Sequence, residues 1–274
     1  MSAPTLTFHN GVEIPQLGFG VWRVSDDETE AVVTTALETG YRHIDTAAVY
    51  GNEQGVGRAL AACGIPREEL FVTTKLWNAA QGYDATLRAF EQSRARLAVD
   101  QVDLYLIHWP VPSRDLYLET WRAFERLYAD GLVRAIGVSN FLPEHLDRLL
   151  AESEEVPVIN QVELHPRFRN LATERADAAH RILTEAWSPL GQGTILEDPT
   201  LAGIAEAEER TVAQVILRWH LQSGRVVIPK SVTPSRIAEN FAVFDFELSG
   251  DELSAIDALD AGGRIGPDPA SFGG

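Results

Sequence analysis

The sequence predicts an α/β fold of the (β/α)8 TIM-barrel type, and three observations favour it. Eight short runs rich in β-branched and apolar residues alternate with longer segments whose apolar residues recur at helical spacing. This alternation is typical of parallel β-structure, in which strand and helix follow each other. The chain has 274 residues, close to the roughly 250 residues typical of such barrels. The Gly-rich fingerprint of a doubly wound dinucleotide-binding sheet is not found in the sequence.

An N-terminal β-hairpin precedes the first barrel strand. Leu6–Phe8 and Val12–Ile14 each alternate apolar and polar residues, and Asn10-Gly11 between them is a strong hairpin signal. We therefore expect two short antiparallel strands at the start of the chain.

The eight predicted barrel strands share a high content of apolar and β-branched residues. They are Leu17–Val21, His43–Thr46, Phe71–Thr74, Leu104–Ile107, Ala135–Val138, Val158–Val162, Leu183–Ala186 and Val226–Ile228. The segments with helical periodicity are Glu28–Thr39, Glu53–Ala62, Ala85–Ala98, Tyr117–Ala129, Glu144–Ala151 and Val212–Gln222. Apolar residues at i, i+3 and i+4 predict that each helix packs one face against the sheet.

Two Gly-rich segments test the alternative of a dinucleotide-binding sheet. Gly18–Gly20 is not followed by a third glycine, and Gly55–Gly57 does not open a helix after a strand. Any nucleotide is therefore held in another way.

Composition and charge exclude several function classes. The chain has 40 acidic and 23 basic residues, a net charge of −17. This balance argues against a nucleic-acid partner, because phosphate binding depends on clustered Lys and Arg. The single cysteine, Cys63, excludes an internal disulfide. No linker divides the sequence and no apolar run suggests a membrane span or signal peptide, so we expect one domain over residues 1–274, a cytoplasmic monomer without a membrane partner.

Unusual polar and aromatic residues occupy the C-terminal ends of the predicted strands. In a (β/α)8 barrel the active site lies at this end, where the βα loops meet. The residues there are Trp22, Asp45, Tyr50, Lys75, Trp77, His108, Trp109, Ser139, Asn140, Gln161, Trp187, Ser188, Lys230 and Ser231. Ordinary strand ends carry caps and small polar residues, so this set indicates an active site.

Asp45, Tyr50, Lys75 and His108 form a group that can protonate a developing alkoxide. The ordinary pKa of a tyrosine is about 10, and we expect the ammonium of Lys75 to lower the pKa of Tyr50. Asp45 is expected to pair with Lys75 and keep it charged. His108 is expected to hydrogen-bond a substrate oxygen beside Tyr50.

The group that attacks the substrate carbon must be bound from outside, since Cys63 lies in a helical pattern. A hydride donor fits this requirement. Ser139, Asn140 and Gln161 offer hydroxyl and amide groups suited to a carboxamide, and Trp187 offers a flat face for an aromatic ring. Nicotinamide has both features.

Lys230 and Arg236 predict a phosphate site. They lie on either side of Ser231 and Pro234, where we expect the N-terminus of a helix. Two cations beside a helix N-terminus make a pocket for phosphate. In an acidic protein this favours the 2′-phosphate of NADPH.

The tryptophans divide into two groups. Trp22, Trp77 and Trp109 follow strands, where they are expected to form the walls of an apolar pocket for a small substrate. Trp121 and Trp219 lie in helical patterns and are expected in the core.

Two histidines have simpler interpretations than catalysis. His43 shares a strand face with Asp45 but is expected to be a core residue. His165 with Glu163, Asp45 and His108 has no metal-ligand spacing, so we predict no metal.

Seven motifs, taken together, resemble those of the aldo-keto reductase family. They are GYRHIDTAAVYGNE at Gly40–Glu53, KLWN at Lys75–Asn78, IHWP at Ile107–Pro110, GVSNF at Gly137–Phe141, NQVE at Asn160–Glu163, SPLG at Ser188–Gly191 and IPKS at Ile228–Ser231. The resemblance runs from about Gly11 to Pro269. Each motif alone is weak, but seven in order are specific.

The resemblance implies a (β/α)8 barrel that binds NADPH/NADP+ without a Rossmann domain and reduces aldehydes or ketones to alcohols. The implied catalytic tetrad is Asp45, Tyr50, Lys75 and His108, with Tyr50 as general acid. The implied cofactor-binding residues are Gly20, Val21, Trp22, Asp45, Ser139, Asn140, Gln161, Trp187, Ser188, Leu190, Gln192, Ile228, Lys230, Ser231, Val232, Arg236, Glu239 and Asn240. The implied substrate-binding residues are Trp22, Tyr50, Trp77, His108 and Trp109, and the family uses no metal.

Within the family, the chain looks most like the bacterial 2,5-diketo-D-gluconic acid reductases. The likeness lies in Trp187, in the short loop Val111–Asp115 and in the tail Gly263–Pro269. It implies that the tail covers the active-site face and that keto-sugar acids are candidate substrates. Arg264 either meets an anionic substrate group or is simply exposed. Arg181 departs from the family's His-Gly-Ile pattern, which is expected to alter only a helix end.

Two other functions stay open at this point. One is a non-enzymatic NADPH-binding regulatory module, since a fold does not fix a function. The other is an aldolase in which Lys75 forms a Schiff base with the substrate.

Overall fold

The barrel consists of eight parallel strands that follow one another around the sheet in chain order. The computed structural model describes residues 3–273. Its barrel strands are β3 (Phe19–Gly20), β4 (His43–Asp45), β5 (Phe71–Leu76), β6 (Val102–Ile107), β7 (Val133–Ser139), β8 (Ile159–Glu163), β9 (Leu183–Trp187) and β10 (Val226–Val227). Leu17 and Val227 form a parallel bridge, and the Gly18 amide donates to the Val227 carbonyl at 2.9 Å. The first and last strands therefore meet, and the predicted (β/α)8 barrel is confirmed.

Ten α-helices surround the sheet in the described part of the chain. They are α1 (Asp26–Thr39), α2 (Glu53–Ala62), α3 (Tyr83–Leu97), α4 (Tyr117–Ala129), α5 (Pro143–Glu152), α6 (Leu171–Ala179), α7 (Pro199–Ala207), α8 (Val212–Gln222), α9 (Pro234–Phe241) and α10 (Gly250–Asp257). The six predicted helical segments and the helix start near Arg236 are confirmed. The periodicity did not predict α6, α7 and α10, because these helices are short, and in α6 and α7 many of the apolar residues are alanine.

The predicted N-terminal hairpin closes the bottom of the barrel. Its strands β1 (Thr5–Thr7) and β2 (Glu13–Pro15) pair antiparallel, with Leu6 opposite Ile14. Ile14 and Phe8 are buried among interior side chains such as Phe71 and Leu104. Apolar contacts with the hairpin thus close the N-terminal end of the barrel, whereas the hairpin does not cover the C-terminal end.

Alternation along the strands divides each strand between two environments. On β6, Tyr105 and Ile107 pack in the larger core between sheet and helices, whereas Leu104 and Leu106 pack inside the barrel. On β5 the interior face carries Phe71 near the hairpin and Lys75 near the opposite end. The barrel interior therefore changes from apolar to polar along its axis.

Several core expectations are confirmed. Trp121 and Trp219 have no exposed surface, and each indole N–H finds an acceptor, at the Glu155 carbonyl and the Asp257 carboxylate. His43 is fully buried and hydrogen-bonds Thr73 at 3.0 Å.

Among residues 3–273, no helix is long and apolar enough to cross a membrane.

Two glycines inside helices predict opposite effects of alanine. A Cβ at Gly57 on α2 would lie 2.7 Å from the Leu97 backbone oxygen of α3, whereas a Cβ at Gly203 on α7 would meet nothing within 4 Å. We expect Gly57→Ala to lower the free energy of unfolding by about 1–3 kcal/mol through overpacking. We expect Gly203→Ala to raise it by up to about 1 kcal/mol through helix propensity. Urea unfolding measures both, and equal effects would contradict the packing argument.

Candidate active site

The predicted tetrad comes together at the C-terminal end of the barrel. Asp45 ends β4, Lys75 lies near the end of β5 and His108 directly follows β6. Tyr50 ends a 3-10 turn over residues 48–50, just after β4. The parallel strands bring these ends to one rim although the residues are far apart in sequence.

A buried ion pair anchors the site. Lys75 Nζ lies 2.6 Å from Asp45 Oδ1 and also donates to the Thr46 carbonyl at 3.0 Å. Lys75 is fully buried and Asp45 nearly so. Burial alone would lower the pKa of Lys75, but the charges of Asp45, Tyr50 and Glu185 outweigh it and raise the pKa. Lys75 therefore stays charged, as predicted.

The phenol of Tyr50 lies beside this pair, with Lys75 Nζ 5.3 Å from the ring centroid. Burial raises the pKa of Tyr50 above its ordinary value, and the lowering effect of Lys75 does not overcome it. Lys75 thus acts on Tyr50 in the expected direction, but the expected net lowering of the pKa is wrong, because burial outweighs it. Desolvation dominates, with Asp45 and Glu185 adding to it, because removing the phenol proton would create another negative charge in a dry site. The phenol stays protonated at neutral pH.

His108 is positioned next to Tyr50 as a neutral imidazole. Its ring centroid lies 5.8 Å from that of Tyr50 and 5.3 Å from that of Trp77. Burial and then the charge of Lys75 lower the pKa of His108 well below its ordinary value. A neutral His108 can donate one N–H to a substrate oxygen without adding charge.

The three predicted carboxamide-binding residues form a connected group. Ser139 Oγ donates to the Gln161 carbonyl at 2.7 Å, and Asn140 Nδ2 donates to the His108 carbonyl at 3.0 Å. Trp187 Nε1 donates to Asn140 Oδ1 at 2.9 Å, which fixes the plane of the indole. Asn140 adopts a left-handed conformation with φ of 63°. Such backbone strain is common at functional sites.

The sequence interpretation missed Glu185 on β9. This side chain is fully buried, and Gln161 Nε2 donates to both Glu185 Oε2 and Asp45 Oδ2 at 2.8 Å. An acidic residue in the middle of a predicted buried strand was the available signal, because a buried carboxylate needs a partner.

His43, Asp45 and Glu185 place potential metal-ligand atoms within 4.8 Å of one another. Their chemistry does not fit a cation. The ammonium of Lys75 holds one Asp45 oxygen, and the Gln161 N–H groups hold one oxygen of each carboxylate. Both Asp45 oxygens are thus already accepting hydrogen bonds, and the ammonium 2.6 Å from Asp45 would repel a cation at this place.

The predicted phosphate-binding residues surround the N-terminus of α9. Lys230, Val232 and Arg236 are exposed, and Ser231 is buried with its Oγ accepting from the Thr233 amide at 3.1 Å. Neither Lys230 nor Arg236 forms an ion pair with any described residue. Glu239 instead accepts a hydrogen bond from Thr211 at 2.9 Å.

The remaining predicted cofactor positions belong to β3 and the residues after it, to the loop after β9 and to α9. The Gly20 amide donates to the Pro229 carbonyl at 3.1 Å, where β3 meets the segment after β10. A Cβ at Gly20 would lie 3.2 Å from the Ile228 oxygen, so the backbones approach closely there. The other members are Val21, Trp22, Asn240 and the loop after β9 with Ser188, Leu190 and Gln192.

Aromatic side chains wall the predicted substrate pocket. Trp22 is 39% exposed, Trp77 is half-buried and Trp109 is 7% exposed. The Trp109 ring lies 4.5 Å from the ring of Phe272 in the C-terminal tail. The tail therefore contributes to the wall, as expected from the family resemblance.

The tail is tied to the rim by Glu163, which ends β8. Its carboxylate accepts the Ile265 amide at 2.5 Å and the Gly266 amide at 2.7 Å, and lies 3.2 Å from His165 Nε2. A Cβ at Gly266 would lie 2.4 Å from the Trp187 ring. Arg264 lies 4.5 Å from the centre of the Phe168 ring. The tail thus touches the indole that is predicted to stack on nicotinamide.

Comparisons with known proteins agree with this geometry. The model of the "Aldo/keto reductase family" matches residues 16–261. The chain belongs to this family. A glyoxal reductase of Bacillus subtilis is 52% identical, over 97% of this chain and 96% of its own. The methylglyoxal reductase DkgA of Salmonella typhimurium is 50% identical, over 100% of both. The solved structure of a Gox0644 mutant in complex with NADPH matches this chain with a TM-score of 0.96 and 49% sequence identity, over 99% of both chains.

The tail attachment predicts a local change in amide exchange. Burial alone would raise the pKa of Glu163, but hydrogen bonds from His165, Ile265 and Gly266 outweigh it and lower the pKa. At pH values above the unfolded-state pKa of Glu163, about 4.5, the ionised carboxylate holds the tail. As the pH falls through the lowered folded-state pKa, the carboxylate becomes protonated and releases the tail. We expect Glu163→Ala to speed hydrogen exchange of the Ile265 and Gly266 amides by on the order of tenfold, measured by NMR.

Asp268→Ala is the control for this experiment. Asp268 accepts the Ala270 amide at 3.0 Å further along the tail. It is expected to leave exchange at Ile265 and Gly266 unchanged. Equal exchange at these two amides in Glu163→Ala and the unmodified protein would contradict the attachment.

Proposed function

We propose that the protein is an NADPH-dependent reductase of small aldehydes and ketones, with Tyr50 as general acid. The observation that carries this proposal is the position of the Tyr50 phenol between the buried Asp45–Lys75 pair and His108. An acid in this position can deliver a proton to a carbonyl oxygen as negative charge builds there.

The four side chains have distinct tasks in this reaction. His108 donates its N–H to the substrate carbonyl and orients it toward Tyr50. Tyr50 then gives its phenolic proton to the oxygen, and the phenolate that forms is stabilised by the adjacent ammonium of Lys75. Asp45 keeps Lys75 charged and in place. A raised pKa of Tyr50 before the reaction favours the protonated acid at neutral pH.

The residues of the rim fit NADPH as the cofactor. The carbonyl oxygen of the Gln161 side chain accepts no hydrogen bond from residues 3–273, so it is available to a carboxamide N–H. Trp187 is half-buried, with its indole fixed by Asn140. Lys230 and Arg236 are exposed cations at the start of α9, suited to a 2′-phosphate. When bound, NADPH supplies the hydride.

Small dicarbonyl compounds are the substrates that we propose first. Trp77, Trp109 and Phe272 place aromatic side chains beside the tetrad, and two relatives are named glyoxal and methylglyoxal reductases. Keto-sugar acids such as 2,5-diketo-D-gluconate belong in the same test panel. All four tetrad residues come from one chain, so the proposal treats a monomer as the catalytic unit. The cytoplasmic location stays a prediction from the sequence.

The geometry disfavours the aldolase alternative. A Schiff base requires an unprotonated lysine, whereas the pKa of Lys75 is raised and its Nζ donates to Asp45 and the Thr46 carbonyl. A regulatory module that binds NADPH without turnover is the second candidate function, and the following measurement decides it.

Loss of the phenol is expected to separate turnover from cofactor binding. We expect Tyr50→Phe to reduce kcat for methylglyoxal by about 10²-fold or more, because a positioned acid contributes on this scale. The Kd for NADPH should change little. The assay is the fall in NADPH absorbance, with Tyr83→Phe, an exposed tyrosine on α3, as the matched control. Full activity of Tyr50→Phe would refute its role, and no turnover by the unmodified protein with any carbonyl would favour the regulatory module.

Loss of a cation at α9 is expected to weaken NADPH selectively. Arg236→Ala should raise the Kd for NADPH by about tenfold or more and leave the Kd for NADH nearly unchanged, since a charge-assisted contact contributes about 1.5–3 kcal/mol. Quenching of tryptophan fluorescence measures both constants. Arg88→Ala, at an exposed arginine on α3, is the control. Equal losses for both nucleotides would refute the 2′-phosphate site.

A further inference from the structure

The side-chain amide of Gln161 lies between two buried carboxylates. Its Nε2 is 2.8 Å from Asp45 Oδ2 and 2.8 Å from Glu185 Oε2. Only the NH2 end of an amide has two hydrogens to give, and the reverse orientation would set its oxygen against two carboxylate oxygens. The two acceptors therefore fix which end of the Gln161 amide faces the carboxylates and which end faces away.

Glu185 has no part in the proton transfer described above, yet it is fully buried at the polar end of the barrel. It lies in register with Gln161, one strand along. Its second oxygen, Oε1, has no hydrogen-bond partner among residues 3–273 and lies 3.9 Å from His43 Nε2. A buried acid is costly without a hydrogen-bond partner, and among residues 3–273 the Glu185 carboxyl group finds one only in Gln161.

We infer that Glu185 is a positioning residue that turns the carbonyl oxygen of Gln161 toward the carboxamide N–H of nicotinamide. This inference rests on the proposed function, since it requires a nicotinamide at the rim. With Asp45 as the only acceptor, the Gln161 amide would be free to rotate about a single hydrogen bond. With Glu185 as the second acceptor, the side-chain oxygen of Gln161 points in one direction. The site then binds a primary amide more tightly than a group without an N–H.

The surroundings of Glu185 raise the pKa of its carboxyl group. Burial and then the charge of Asp45 raise its pKa to about 8, against the opposing effects of the Gln161 hydrogen bond and Lys75. The groups that face it are His43 and Asp45 from β4, Lys75 from β5 and Gln161 from β8, while β10 contributes apolar Val226. Glutamine at this position would have a similar volume and would retain an oxygen to accept the N–H of Gln161.

The test compares two cofactors that differ in one hydrogen-bond donor. NADP+ carries a carboxamide, and 3-acetylpyridine adenine dinucleotide phosphate carries a methyl ketone with the same acceptor but no N–H. For the unmodified protein, the Kd of the analogue should exceed that of NADP+ by about tenfold, because the Gln161 oxygen is left unpaired. For Glu185→Leu, which removes the acceptor at similar volume, this ratio should fall toward one through weaker NADP+ binding. Tryptophan fluorescence quenching gives each Kd.

Two further variants separate orientation from general damage. Glu185→Gln should restore most of the discrimination between the two cofactors. Glu174→Leu removes a carboxylate that pairs with Arg225 at a distance of 2.5 Å, away from Gln161, and it should keep the ratio of the unmodified protein. If Glu185→Leu does not fold, Glu185→Met, unbranched and of similar length, takes its place.

The outcomes distinguish this inference from the proposed function. An unchanged Kd ratio in a folded Glu185→Leu or Glu185→Met protein would overturn the positioning role. If the unmodified protein has equal Kd values for both cofactors, the hydrogen bond from the carboxamide N–H to Gln161 is overturned. The reductase proposal would then be decided by the turnover assay alone. An unmodified protein that binds neither cofactor would overturn both.

Discussion

The buried ion pair of Asp45 and Lys75 is the interaction on which the rest of the active end depends. A lysine without exposed surface requires a negative partner at hydrogen-bond distance, and Asp45 provides it at 2.6 Å. Burial, together with the charge of Lys75, keeps His108 neutral, and in the proposed mechanism the same charge stabilises the phenolate of Tyr50. The second Asp45 oxygen accepts from Gln161, so that one carboxylate contacts both the proposed proton-donor group and the proposed cofactor-binding group.

The interior of the barrel is apolar at the end with the hairpin and polar at the opposite end. At one end, the hairpin residues Phe8 and Ile14 seal the interior with apolar contacts. At the other end, the same interior faces of the strands carry Asp45, Lys75 and Gln161. Charged groups can lie in this interior because each finds a hydrogen-bond partner on a neighbouring strand or turn. The strand ends therefore present a preorganised polar site that rests on a rigid apolar base.

The tail couples the substrate wall to the cofactor side of the rim. Glu163 holds two tail amides, Gly266 packs closely against the Trp187 ring, and Phe272 packs on Trp109. A movement of the tail would thus change both the indole face and the substrate wall. A glycine is required at Gly266, because any side chain would overlap the indole.

The sequence by itself determined the strand and helix order, the hairpin, the core tryptophans and the set of residues at the rim, because periodicity and motif spacing are local properties. It did not reveal the short alanine-rich helices α6 and α7, whose periodicity is weak, or the hydrogen bonds that Glu163 and Glu185 accept. It also gave the wrong direction for the pKa of Tyr50, since a neighbouring charge can be inferred from a motif but burial cannot. The tertiary structure alone decided these points, because desolvation and shared hydrogen bonds depend on which strands and tail segments surround a side chain.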